Sequence, residues 1–374
     1  MSLEPTVLTG AETALQHEVR AYLDERIPPG TYPLSLGMTG VSDPAFSRDL
    51  GAKGWVGMAL APEYGGGGRS AVERLLVVEE LLARGAPVGY HWVADRQSGP
   101  TIQRYGTEDQ KRRYLPGIAR GELSFSIGMS EPDSGSDLAS LRARARPDGD
   151  GWRLDGTKIW TSGAAEATHV LGLFRTSEDR HAGLTQFVLD CTTPGITISP
   201  IPFIDGSQHF CEVVFDDVRV GDDARLGEVG AGWTQNTGEL VLERGGVDRW
   251  MSLMPVIREW APRVLADDGA ALSDLGRITA RMWALRGLSL AIARLVDDGG
   301  SPVTEAAMAK EMATRFEKES VELVARHLGR APELAASDPV ESLLARAVLV
   351  SPSWTIRGGT TEVLRGIISK GLAS

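Results

Sequence analysis

Long apolar runs, a basic excess and cysteine are what this 374-residue chain has least of. No stretch is apolar for long enough to suggest a membrane-spanning helix. The opening, MSLEPTVLTGAE, has neither the basic start nor the apolar segment of a secretory signal, and it is not Arg-rich as a transit peptide would be. The expected location is the cytoplasm. Lys and Arg total 39 against 50 Asp and Glu, a formal net charge of −11. That balance argues against nucleic acid as a partner, because phosphate contacts need a basic face. The two cysteines, Cys191 and Cys211, stand far apart and outside any CxxC pattern. They read as reduced core residues, with a disulfide the lesser expectation. Walker-A, HExxH, GxSxG and GxGxxG sequences are all missing. PEYGGGG (62–68) is glycine-rich but lacks the spacing of a phosphate loop, and reads as a flexible turn between helices. His91, His169, His181 and His209 show no ligand spacing, so no metal site is expected.

What is present is ordinary for a globular protein: 42% hydrophobic and 24% charged residues. The length suits two or three structural units, or one large composite domain. Three textures follow one another. Residues 1–123 are mostly helical in pattern. AETALQHEVRAYLDERI ends at Pro28-Pro29, AVERLLVVEELLARG stops at Gly85, and EDQKRRYLPGIARGE is a further short helix. Residues 124–230 change period. WRLDGTKIWTSG, HVLGLFRT, TQFVLDCTTPGITISP and CEVVFDDVRV are β-rich segments split by Gly, Asp and Pro, which suggests an antiparallel sheet or barrel. Residues 231–374 return to helix. TQNTGELVLERGGVDRWMSLMPVIREWA, LGRITARMWALRGLSLAIARLVDD and TEAAMAKEMATRFEKESVELVARHLG are long amphipathic runs that fit an antiparallel bundle.

Two segments offer chemistry. SFSIGMSEPDSGSD (124–137) leaves a strand-like run and gathers Ser, Gly and Asp. Its backbone N–H groups and hydroxyls suit a pyrophosphate or a polar heteroaromatic edge. KIWTSG (158–163) sets Trp160 to stack on a flat cofactor, with Thr161 and Ser162 as hydrogen-bonding groups. Taken singly, the first is a polar surface turn and the second a strand aromatic in a core.

Their order changes the reading. YGTEDQKRRYLPGIARGE, SIGMSEPDSGSD, GWRLDGTKIWTSG, FDDVRV with LGEVGAGW, and RGGTTEVLRGII together resemble the acyl-CoA dehydrogenase family over nearly the whole chain. The resemblance implies an α+β multidomain fold: an N-terminal helical domain, a central antiparallel β-barrel and a C-terminal four-helix bundle. It implies FAD and an acyl-CoA thioester bound between barrel and bundle. It also implies a reaction in which a carboxylate takes the α-proton and the β-hydrogen leaves as hydride to flavin N5. A base alone is insufficient; the developing enolate needs aimed hydrogen bonds. In the family these come from a flavin ribityl hydroxyl and a backbone N–H, which maps to Gly358.

Many members carry the catalytic Glu at the position of Gly358, where this chain has none. Others place it on the first long helix of the C-terminal domain, just before an Arg. Here that helix reads GELVLERGG, which makes Glu243 the expected base, followed by Arg244. Taken alone, Glu243 is a surface glutamate paired with a neighbour. The resemblance further assigns Met129, Ser130, Gly135, Ser136, Trp160, Thr161, Ser162, Thr360 and Glu362 to the cofactor, and Ser136 and Arg244 to the substrate. The glycine at 358 and the helix-borne base hint at a bulky or branched acyl group.

The match fails in two places. Family members carry Arg-x-x-Phe-Gly after the base helix and Gly-Gly-x-Gly-Tyr later, both reaching the FAD of a neighbouring subunit. This chain has REWAPRVLADDGAALSDLG and RHLGRAPELAASDPVES instead. That departure resembles actinobacterial sterol side-chain dehydrogenases, which pair two unlike chains. The expectation is an oligomer, with a heterotetramer in which a related chain completes the FAD site standing beside a homo-oligomer. The expected electron acceptor is an electron-transfer flavoprotein. Two alternatives stay open: a flavin-dependent oxidase, monooxygenase or desaturase of the same fold, and a non-catalytic subunit.

Overall fold

The computed structural model describes residues 3–37 and 41–373, of which 239–243 are described for the backbone alone. The described residues form twelve α-helices and eight strands, six of the helices coming first: α1 (Gly10–Arg26), α2 (Pro44–Ala52), α3 (Ala71–Arg84), α4 (Gly89–Val93), α5 (Gly99–Tyr105) and α6 (Glu108–Ala119). Eight strands follow: β1 (Phe125–Gly128), β2 (Arg144–Asp148), β3 (Gly151–Ser162), β4 (His169–Arg175), β5 (Leu184–Asp190), β6 (Ile196–Ile201), β7 (Phe210–Gly221) and β8 (Arg225–Leu226). Six helices complete the chain: α7 (Gly232–Arg244), α8 (Met254–Trp260), α9 (Gly269–Asp297), α10 (Val303–Arg326), α11 (Pro339–Trp354) and α12 (Thr361–Ala373). Local signals set several boundaries. Thr9 with Glu12, Ser70 with Glu73 and Thr107 with Gln110 form reciprocal capping boxes at the starts of α1, α3 and α6. Gly85 ends α3 in the left-handed conformation, where a β-carbon would be strained.

The chain divides into two compact units. One holds residues 42–69 and 88–239 and contains the sheet; the other holds 1–41, 70–87 and 240–374 and is helical. In the first unit the strands run β6-β7-β3-β2-β4-β5-β8, with β1 beside β4. This corrects the expected antiparallel barrel. The sheet is open, and β1 pairs with β4 in parallel register, Phe125 against His169 through Gly128 against Gly172. The link between β2 and β4 is also parallel and rests on one residue pair, Arg144 and Arg175. Strand texture reveals period but not closure. The ends of this sheet are poor pairing surfaces: β8 is two residues long, and β6 carries Pro200, which lacks a ladder N–H.

Strand β4 is buried on both faces, as its continuous apolar run implies. Val170 and Phe174 enter a cluster with Trp152, Phe187, Val213 and Phe215. Leu171 points the other way, into a cluster with Ile102, Leu115 and Ile118 of α5 and α6. The PEYGGGG stretch is more tightly bound than a flexible turn. Gly66, Gly67 and Gly68 donate backbone N–H groups to Ala61, Gly57 and Leu60. A β-carbon on Gly66 would lie 2.2 Å from the Leu60 carbonyl oxygen, so only glycine fits.

In the helical unit α10 packs on α9, α11 and α12, and α3 packs on α1 and α9. The run 234–261, read as one long amphipathic segment, is interrupted after Arg244. Gly245-Gly246 and Pro255 separate α7, a 3₁₀ turn at Val247–Arg249 and α8. Among the described residues no helix is long and apolar enough to cross a membrane, and no three His, Cys, Asp or Glu side chains gather as a metal site.

Candidate functional site

The sequence-assigned residues fall into two groups, one in each unit. The first is built where β1 runs into the 129–140 turn. Ser130 accepts a backbone hydrogen bond from Ile159 at 2.9 Å, which joins this turn to the 158–163 segment. Glu131 and Ser134 exchange two backbone hydrogen bonds, at 2.8 and 3.1 Å, and present Gly135 and Ser136 on an exposed tip. Beneath it lies an ion pair that the sequence reading missed. Lys158 Nζ sits 2.8 Å from Glu131 Oε1, with Lys158 fully buried. Burial pushes the Lys158 ammonium down to about 8, against the pull of Glu131. The signal was present: Lys158 falls in phase with Trp152 and Leu154 of β3, both buried, an odd place for a solvated lysine.

Directly after Lys158 the pairing of β3 with β7 slips by one residue, between Lys158–Val213 and Thr161–Cys211. This is a β-bulge, a device that re-aims side chains. Trp160 sits in it at φ +59°, a conformation that bulky residues rarely adopt. Its ring is 53% exposed and meets Phe210 edge-on at 6.1 Å. Thr161 is fully buried, and its hydroxyl has no hydrogen-bond partner among the described residues. An exposed indole beside an unsatisfied buried hydroxyl fits a flat heteroaromatic group with a hydrogen-bonding edge. Ser162 is half-buried one residue on, and Met129 and Ser130 are likewise half-buried.

The second group lies in the helical unit. Buried Arg244, at the end of α7, donates from Nε to the Gly358 carbonyl at 3.0 Å. Gly358 and Gly359 both have positive φ, +67° and +105°. The loop must take this path to start α12, and a side chain at either position would be strained. Thr360 caps α12 through its hydroxyl, which accepts from Val363 N–H at 3.4 Å. The Glu362 carboxyl is held below its ordinary range by its own backbone N–H and the Thr360 hydroxyl. Glu243 lies on α7 next to Arg244, and its side chain is outside the described residues.

A further pair supports this loop and was not read from the sequence. Arg357 Nη2 donates to Glu317 Oε2 at 3.0 Å and to Ser252 Oγ at 2.8 Å. Glu317 is completely buried and also accepts from the Ser252 N–H at 2.8 Å. Burial raises the Glu317 pKa, opposed by the Arg357 charge. The one local signal is its spacing: Glu317 lies four residues from Ala313 and from Val321, on the buried face of α10.

Three family models match in order along the chain: the acyl-CoA dehydrogenase N-terminal domain over 9–122, the middle domain over 126–218 and the C-terminal domain over 230–373. The chain belongs to the acyl-CoA dehydrogenase family. It is thus an oxidoreductase of a flavin-using family. Acyl-CoA dehydrogenase FadE26 of Mycobacterium tuberculosis is 34% identical over 343 residues, covering 85% of this chain and 84% of that protein. FadE29 of the same organism is 32% identical over 378 residues, covering 97% and 96%. Among solved structures, the Tcur3481-Tcur3483 steroid ACAD aligns with a TM-score of 0.86 at 31% identity, covering 100% of this chain and 99% of that one. The ChsE4-ChsE5 complex from Mycobacterium tuberculosis aligns at 0.85 and 30%, covering 99% of both.

Proposed function

We propose that this chain is an FAD-dependent dehydrogenase that introduces an α,β double bond into a bulky or branched acyl-CoA thioester, with Glu243 as the base. The observation that carries this reading is the hold of Arg244 on the Gly358 carbonyl. It ties the residue next to the candidate base to the glycine loop that has no carboxylate of its own. The Glu243 carboxylate takes the α-proton. The N–H of Gly358 donates to the thioester oxygen as charge develops there; a backbone donor is unaffected by the missing side chain. Bound FAD would supply the acceptor for the β-hydrogen and its electron pair, with an electron-transfer flavoprotein as the proposed onward acceptor of the two electrons.

Met129, Ser130, Gly135, Ser136, Trp160, Thr161, Ser162, Thr360 and Glu362 would hold the flavin. Ser136 and Arg244 would contact the substrate. In this reading α9 to α12 serve as the C-terminal four-helix bundle, and residues 1–123, 124–230 and 231–374 as the three working domains. Replacing Glu243 with Gln tests the assignment. Flavin binding should survive and α-proton removal should be lost.

We further propose that the working form is a heterotetramer with a related chain. Two observations support it. The stretches 258–276 and 326–342 lack the residues with which family members complete a neighbour's FAD site. The ChsE4-ChsE5 structure, 30% identical to this chain, is itself a complex. Native mass and flavin stoichiometry of the chain purified alone test this. One tightly held FAD per chain in a homo-oligomer would contradict it.

A further inference from the structure

We infer that the buried Lys158–Glu131 pair is a positioning device for the flavin, an inference that rests on the flavin reading above. The two side chains tie together the segments of the sheet unit that carry residues assigned to the flavin. Glu131 Oε2 accepts from the Arg142 N–H at 2.6 Å, and Oε1 from the Ala143 N–H at 2.9 Å and Lys158 Nζ at 2.8 Å. Lys158 Nζ also donates to the Met129 carbonyl at 3.2 Å. The 129–131 turn, the 142–143 segment leading into β2 and the strand β3 are therefore fixed on one another through two charges.

Stability alone does not call for this arrangement. Removing two charges from water is expensive, and well-packed apolar residues usually serve as well or better. What a pair of this kind adds is one defined geometry. Immediately beyond Lys158 the strand bulges, Trp160 takes its left-handed conformation and the Thr161 hydroxyl has no partner among the described residues. A strained residue persists only where its surroundings over-determine it. Lys158 anchors the strand at the residue where the bulge begins, and Glu131 anchors the turn that carries Met129 and Ser130 on one side and Gly135 and Ser136 on the other. Neither side chain is exposed, so neither is assigned a contact with substrate or flavin.

The test compares the wild-type chain, Glu131→Gln, and the double variant Lys158→Met with Glu131→Gln, which leaves no unpaired buried charge. It is made on the full chain with its partner where one is needed. Each is measured for apoprotein melting temperature, FAD dissociation constant and bound-flavin visible spectrum and midpoint potential. The expected result is a double variant that melts close to wild type. Its FAD affinity should be weaker by about tenfold or more, the scale on which outer-shell partners act. The bound flavin should have an altered spectrum and a shifted potential. If the double variant does not fold, Glu131→Gln, which keeps the shape and the acceptor for Ala143, is read in the same way. A folded variant with wild-type affinity, spectrum and potential overturns the inference but leaves the flavin reading standing. A wild-type protein that binds no FAD even with its partner overturns both.

Discussion

Arg244 donates from Nε to the carbonyl oxygen of Gly358, 114 residues away, at 3.0 Å. The planar guanidinium fixes the direction of that peptide, which a lysine ammonium on a flexible stem cannot reproduce. Arg244→Lys should leave the fold intact and lower kcat by about 10- to 100-fold, as small misplacements of a catalytic group do. Steady-state kinetics on the flavin-loaded protein check this. A loss confined to KM would assign Arg244 to substrate binding alone.

The glycines of the same loop are required by conformation. Gly358 and Gly359 sit at φ +67° and +105°, and a β-carbon on Gly359 would lie 3.2 Å from Arg244 Nη2. Either glycine replaced by alanine should destabilise the chain by about 1–2 kcal/mol. The Gly359 variant should also disturb Arg244 and so lose more activity than stability. Denaturant titration beside activity separates the two effects.

The Glu317–Arg357 pair is fully desolvated on the glutamate side. Glu317→Gln should cost about 3 kcal/mol or more, because it leaves the Arg357 charge without its counter-ion. The double variant Glu317→Gln with Arg357→Met should be less destabilised than the sum of the singles. A double-mutant cycle by thermal unfolding measures that coupling.

His91 gives a pH prediction. Its ring is buried against Ser47, with Nδ1 2.8 Å from the hydroxyl, and burial pushes its pKa from 6.5 down to about 4, opposed by the nearby Asp95 charge. Between those values the unfolded chain binds a proton that the folded chain refuses. The stability held by neutral His91 is therefore complete above 6.5 and is lost as pH falls towards 4. The loss should be roughly 3 kcal/mol. In His91→Gln the decline in unfolding free energy over this range should flatten; an unchanged slope would place the acid sensitivity elsewhere.

How legible these features were depended on whether they are local. Helices α1, α3 and α6 announce themselves by apolar spacing and by a terminal Gly or Pro. Strands β3, β4 and β7 show as alternating or continuous apolar runs. That the sheet stays open was not legible, because strand order rests on non-local pairings such as the meeting of β2 with β4 at a single residue pair. The break at Gly245-Gly246 was written in the sequence but outweighed by the amphipathic pattern on either side of it. Among the sequence-assigned residues, Trp160 and Gly358 take positive φ and the buried Thr161 hydroxyl has no partner among the described residues, features that their motifs did not spell out. The supporting charges were not read from the sequence. Glu131 looks like any solvated charge until the fold buries it, and Lys158 and Glu317 differ only in falling in phase with buried residues of their own elements.

The central claim is that Glu243 removes the α-proton, and one comparison tests it most directly. The flavin-loaded protein, with its partner chain where one is needed, is mixed without oxygen with a sterol side-chain acyl-CoA, and the flavin's visible band is followed for wild type and Glu243→Gln. The account predicts that the wild-type band bleaches. In the Gln variant the band should shift as the thioester binds but bleach about 10²- to 10⁴-fold more slowly, the usual worth of a positioned base. Bleaching of the Gln variant at the wild-type rate would contradict it.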